Sequence, residues 1–179
     1  MTHRPPIETT NLDRYGHTTI PWERALGELD AGPLQPDVPG GEFFVVLGTV
    51  RPDGRPHAVG IGARWVDGQF YFTSGLGTRK SRNLASNPNC TLVVRLPSLD
   101  LTLEGTAERI GDPATLERLA ALYREDGWPA VVEGDAFAAP FSAASAGPSP
   151  WHLYRLVAHT GIGIATAEPS GATRWRFVR

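Results

Sequence analysis

Three apolar runs separated by two tight turn signals constrain this chain more than any other feature. Residues Phe43–Val50 are apolar on both faces, Arg51-Pro52-Asp53-Gly54-Arg55 follows, Pro56–Val66 returns, and Asp67-Gly68 leads into residues 69–74. Proline presets φ, glycine accepts the left-handed position, and Asp-Gly between alternating runs is a strong hairpin signal. The pattern predicts a three-stranded antiparallel meander. Because Phe43–Val50 is apolar on both faces, it reads as a strand buried on two sides.

The returning strand divides by parity, since successive strand side chains point to opposite faces. His57, Val59, Ile61, Ala63 and Trp65 share one face, while Ala58, Gly60, Gly62, Arg64 and Val66 share the other. Side chains are nearly absent at 58, 60 and 62. Either something flat or another backbone approaches that face, or the barrel bends sharply there.

The third strand delivers Gly75-Leu76-Gly77-Thr78-Arg79-Lys80-Ser81-Arg82-Asn83-Leu84. Two glycines permit a tight turn, Thr78 caps the next helix, and Arg79, Lys80 and Arg82 crowd its first turn. A helix start carries unpaired N–H groups and about half a positive charge, so a phosphate here meets backbone donors, the Thr78 hydroxyl, Arg79 and Lys80. An ordinary capped helix with solvated cations is the alternative. The helix spans residues 78–87 and stops at Pro88.

Either side of this centre the chain is legible in outline. Residues 1–19 form an extended arm, packed on a partner subunit or disordered, and residues 20–179 form one domain. Pro21, Trp22, Ala25, Leu26 and Leu29 fit a short amphipathic helix stopped by Gly32. Three prolines mark residues 32–41 as a loop. After the central helix, residues 91–96 and 99–109 are strands. In the second, Leu99, Leu101, Leu103 and Ala107 face inward and the carboxylates face water, which leaves Asp100 and Glu104 too far apart for a catalytic pair. Asp112-Pro113 opens a helix to about Glu125 that closes one mouth of the sheet. Residues 129–150 make a long loop, a lid or a dimer contact. Residues 151–158, 161–167 and 173–178 are the last strands.

Composition narrows the class of function. With a formal net charge of −2 and pI near 6.2 the chain lacks the basic surface that sequence-independent nucleic-acid binding requires. Neither a signal-peptide core nor a membrane-length apolar run is present. The single cysteine, Cys90, excludes an intrachain disulfide and reads as a buried structural thiol, so a cytoplasmic location is expected.

Seven to eight strands in hairpins with two or three short helices define a mainly β protein, an antiparallel barrel. In this order the sequence resembles the pyridoxamine 5′-phosphate oxidase-like, flavin-binding split-barrel family. The likeness is carried by Thr49-Val50-Arg51-Pro52-Asp53-Gly54-Arg55-Pro56-His57, by Trp65-Val66-Asp67-Gly68-Gln69-Phe70-Tyr71-Phe72, by Thr78-Arg79-Lys80-Ser81-Arg82-Asn83-Leu84 with Asn87-Pro88, and by Glu104-Gly105-Thr106-Ala107. It implies a homodimeric split β-barrel with two cofactor sites at the subunit interface and FMN or F420 as cofactor. By the same resemblance Thr78, Arg79 and Lys80 hold the cofactor phosphate, Thr73 and Ser74 line the site, and His57, Ala58, Val59 and Gly60 lie along the ring system. Arg174 or Trp175, on the last strand, reaches the partner's site, with plain packing as the alternative for Trp175. The chain departs from the oxidase proper at Gly60-Ile61-Gly62, where that enzyme carries a basic residue, and no pyridoxamine phosphate site is evident near the C-terminus. Vitamin B6 oxidation is therefore disfavoured.

The expected function is an FMN- or F420-dependent oxidoreductase acting on a small planar substrate, in which the cofactor carries the chemistry. No dedicated acid or base stands out; His57 is the candidate proton donor, and a structural histidine is its plainer reading. His152 and His159 fit no metal motif. The competing readings are a non-catalytic module that binds FMN, F420 or haem, and a barrel that stacks single-stranded nucleic acid on Phe70, Tyr71 and Phe72.

Overall fold

The computed structural model describes residues 5–33, 42–142 and 146–178. Most of the loop read over 32–41 lies outside them. In chain order the described elements are β1 (Glu8–Asn11), α1 (Trp22–Asp30), β2 (Phe43–Val50), β3 (Pro56–Val66), β4 (Gln69–Gly75), α2 (Arg79–Ser86), β5 (Asn89–Arg95) and β6 (Leu99–Ile110). They continue with α3 (Pro113–Glu125), β7 (Val131–Glu133), β8 (Ala136–Ala138), β9 (Trp151–Ala165) and β10 (Ala172–Arg176).

The meander forms as the turns dictate, with Gly54 at φ 83°, Asp67 at φ 50° and Gly68 at φ 78°. Strand β9 pairs antiparallel with both β4 and β6, and this closes a six-stranded barrel in the order β9-β4-β3-β2-β5-β6. Alternation fills the interior: Val45, Leu47, Leu92 and Leu101 are completely buried, each such burial contributing about 1.5–3 kcal/mol. Helix α1 lays Trp22, Ala25 and Leu29 on this core, with Trp22 edge-on to Trp175 at 5.2 Å and to Phe177 at 4.9 Å.

Several expectations change at the level of tertiary structure. Residues 8–11 pair with β10 of their own chain as an edge strand. Strand β2 is buried on one face only: Phe44 is 75% exposed and Val46 37%, because nothing among the described residues covers the outer wall at these two positions. Residues 151–165 run as one strand with no turn near 160. The interruption is a bulge, since Glu104 pairs with Thr160 and Gly105 with Ala158, leaving His159 as the extra residue.

Helix α3 does not close a barrel mouth. It packs on the outer wall, where Leu116, Leu119 and Tyr123 form a second core with the outward-facing Tyr71 and Leu153. Within the segment read as a loop, β7 and β8 make a hairpin that buries Phe137 in this second core. Three-residue strands are too short to leave a periodic signal.

Candidate functional site

The barrel parts along the seam between β3 and β4. Their pairing covers only Arg64 with Tyr71, Trp65 with Phe70 and Val66 with Gln69; beyond it β3 stays with β2 and β4 with β9. Helix α2 is set against β2 and β4 and sends Leu84 into the barrel core.

The start of α2 is built as its residues predict. Thr78 is the N-cap, its Oγ1 accepting the Ser81 N–H at 3.3 Å and donating to the Gly75 carbonyl at 2.9 Å. The Ser74 hydroxyl, buried, bonds the Ser81 hydroxyl at 2.6 Å and that of Thr78 at 3.0 Å. These hydroxyls satisfy one another and fix the turn. Among the described residues no acceptor meets the N–H groups of Arg79 and Lys80, the two that a capped first turn leaves over.

Lys80 is the unusual member. Its side chain is 7% exposed and has no ion-pair or hydrogen-bond partner among the described residues. Burial draws its pKa below the ordinary 10.5, as desolvation does to any cation that lacks a counter-charge. Arg79 and Arg82 are exposed. Beside the turn, Leu76, Gly77 and Thr78 face residues 146–150 across a cleft of about 510 Å³.

The remaining candidate residues are dispersed. Thr73 is half-buried and faces a different hollow, beside Glu42. His57 and Ala58 line a separate cleft of about 480 Å³ together with Asn89, Glu104 and His159. Cys90 also borders it, and burial pushes its thiol up to about 12, which leaves it protonated and unreactive. Val59 is half-buried and Gly60 exposed. The flat group that approaches the small-residue face is the chain's own Phe44: a Cβ on Gly60 would stand 2.6 Å from its ring, and one on Gly62 would collide with the Glu42 carboxyl.

At the C-terminus, Trp175 is completely buried and donates its indole N–H to the Ile20 carbonyl at 3.2 Å. This is the packing alternative, and the indole has no open path to a ligand. Arg174 is half-buried and reaches Thr10 at 3.3 Å. It pairs with Ile162 on β9, whereas Ser74 pairs with His152. Ten residues along a strand span about 33 Å, so within one chain Arg174 is remote from α2.

Glu42, Trp128 and Trp151, none of them singled out by the sequence, also border the parted seam. Glu42 had no signal beyond its place before an apolar run, Trp128 stands just before the segment read as a loop, and Trp151 opens a strand.

A six-stranded antiparallel barrel with a short β3–β4 pairing and a capped helix set against it is the class of fold that the comparisons can be held against. The model of the pyridoxamine 5′-phosphate oxidase family matches residues 38–149, more than half of the chain, and the chain belongs to that family. A pyridoxine/pyridoxamine 5′-phosphate oxidase of Bacteroides thetaiotaomicron is 35% identical over 69 residues, which cover 37% of this chain and 32% of that protein. The chain thus matches about a third of that relative's length. Among solved structures, a pyridoxamine 5′-phosphate oxidase-related, FMN binding protein from Nostoc punctiforme superposes with a TM-score of 0.57 at 18% identity, covering 87% of this chain and 90% of that one. A heme binding protein from Mycobacterium smegmatis superposes with a TM-score of 0.50 at 20% identity over 73% of this chain and 52% of that one. At these identities the likeness shows the fold.

Proposed function

We propose that this chain is a flavin-type oxidoreductase that uses FMN or F420 on a small planar substrate, with the cofactor held where two copies meet. The observation that carries the reading is Lys80, a desolvated cation without a partner among the described residues, on a helix start whose first N–H groups are also free. Thr78, Arg79 and Lys80 would hold the phosphate, with Ser74 and Ser81 fixing the turn from behind. When bound, the cofactor would supply hydride transfer; the chain's own part is to anchor the phosphate and orient the ring.

Two observations support a site shared between copies. Arg174 lies far along β9 from α2, so an arginine from this position that met an α2 turn would come from a second molecule. On the outer wall, Phe44, Val46 and Val93 are exposed, with Val46 paired to Val93, an apolar patch of the kind that marks an interface. No helix among the described residues is long and apolar enough to cross a membrane.

A binding module without turnover is the second reading, favoured because no acid or base among the described residues lines the cleft beside Thr78. Titration with FMN, F420 and haem, followed by assays for reduction of quinones and enones, separates the two. Saturable flavin binding with turnover is expected; a tight complex with no turnover establishes the module, and binding of none of the three refutes both.

A further inference from the structure

Strands β3 and β4 pair only over residues 64–66 and 69–71, so no ladder between them sets the distance from the half of the seam that carries His57 to the half that carries Ser74. Helix α2 spans this gap and is tied to both halves by side-chain hydrogen bonds. On the β4 side, the Ser81 hydroxyl donates to the Gly75 carbonyl at 2.8 Å and lies 2.6 Å from the Ser74 hydroxyl. On the other side, Asn83 Nδ2 donates to Thr49 Oγ1 on β2 at 2.9 Å. That hydroxyl donates in turn to the carbonyl of His57, its cross-strand neighbour on β3, at a longer 3.4 Å. Among the described residues no other side-chain hydrogen bond joins α2 to β2 or β3.

Both members of the Asn83–Thr49 bond are shut away from water, Asn83 completely and Thr49 at 3% exposure. The bond satisfies one end of the Asn83 amide, and Oδ1 is buried without a partner among the described residues. An apolar residue of the same shape would fill this space and leave no polar atom unmatched, so packing alone does not account for an asparagine here. Lys80, Asn83 and Leu84 are all buried and share one face of the helix, being spaced i, i+3 and i+4. Leu84 enters the barrel core. Lys80 has no hydrogen bond or ion pair of its own among the described residues, so its ammonium is aimed only by the orientation of the helix that carries it.

We propose that Asn83 and Thr49 are positioning residues, whose hydrogen bond fixes the roll of α2 across the parted seam and so registers Lys80 against the strand that carries His57. The inference rests on the cofactor reading, in which one ligand joins the two halves, its phosphate at the α2 turn and its ring along β3. Without the bond, the Ser74–Ser81 contact and Leu84 still hold the helix, but its first turn is free to move relative to β3. The phosphate's share of the binding then falls, while contacts to the ring are unchanged.

The test compares each phosphate-bearing cofactor with its phosphate-free form, FMN with riboflavin and F420 with its deazaflavin core, by fluorescence titration of the full chain. The unaltered chain should bind the phosphorylated member of one pair at least about tenfold tighter. Thr49→Val keeps the side-chain shape and removes the hydroxyl. It should cut that preference about fivefold and leave the phosphate-free affinity unchanged, and Thr49→Ser should restore the preference. Combining Thr49→Val with Asn83→Leu replaces both partners by apolar groups, which protects the fold should the single variant lose it, and the same loss of preference is expected. A preference unchanged in both variants, or a parallel fall in phosphorylated and phosphate-free affinity, overturns the positioning role and leaves the phosphate anchor standing. An unaltered chain with no phosphate preference in either pair removes the anchor itself, and the positioning pair with it.

Discussion

The two ends of the β3–β4 seam are built on opposite terms. At the paired end Phe70 is 1% exposed and meets Trp65 and Phe43 edge-on at 4.9 and 5.7 Å, and the Trp65 indole N–H donates to Asp30 at 2.8 Å. Apolar surface is removed from water there and the polar atom is matched. At the parted end Lys80 has no partner among the described residues, the Asn83 Oδ1 and Trp151 Nε1 atoms are buried without one, and Glu42 is held in a site that disfavours its charge. Groups left so work against folding by about 1–3 kcal/mol each. The first end stabilises the barrel, and the second costs part of that stability.

Substitutions at the two ends should therefore fail differently. Phe70→Ala is expected to cost about 3–5 kcal/mol of unfolding free energy, measured by urea denaturation; a loss under about 1 kcal/mol would erase the contrast. Lys80→Ala should leave a folded protein whose FMN affinity falls at least tenfold, about 1.5–3 kcal/mol, in a fluorescence titration. Because the Lys80 pKa sits below 10.5 in the free protein and a bound anion favours the charged amine, FMN affinity should decline as pH rises through that lowered value. The variant should show a flatter profile. Thr78→Ala removes the cap and should cost about 1 kcal/mol, visible as a lower denaturation midpoint, with FMN affinity reduced alongside it.

The smallest effect concerns Glu42. Its folded pKa is raised above 4.5, so the folded state prefers the protonated form. The stability this adds is complete below pH 4.5 and is lost as pH rises through the raised value. Glu42→Gln should flatten that slope in denaturation curves collected across the same range; an unaltered slope would place the carboxyl in water.

Much of the fold was legible because its signals are local. Pro52, Gly54 and Gly68 specify turns, Thr78 and Asp112 specify helix starts, and alternation at Leu99, Leu101 and Leu103 specifies the inner face of a strand. The Thr78-Arg79-Lys80 turn was legible for the same reason. What failed was long-range. His159 sits in a bulge that sequence read as a strand end, Phe137 belongs to a hairpin too short to show a period, and α3 packs on a wall that exists only once Tyr71 and Leu153 share a surface. The small-residue face at Gly60 and Gly62 was noticed, but its occupants, Phe44 and Glu42, come from the neighbouring strand.

By itself the sequence determined the meander, the capped α2 turn with its cations and the mainly β class, since each depends on backbone preferences and side-chain periodicity within about a dozen residues. Only the tertiary structure decided that Lys80 is desolvated, that Trp175 is core and that Arg174 lies remote from α2. Burial and distance are properties of surfaces brought together from far apart in the chain, and no local pattern encodes which partner a side chain will lack.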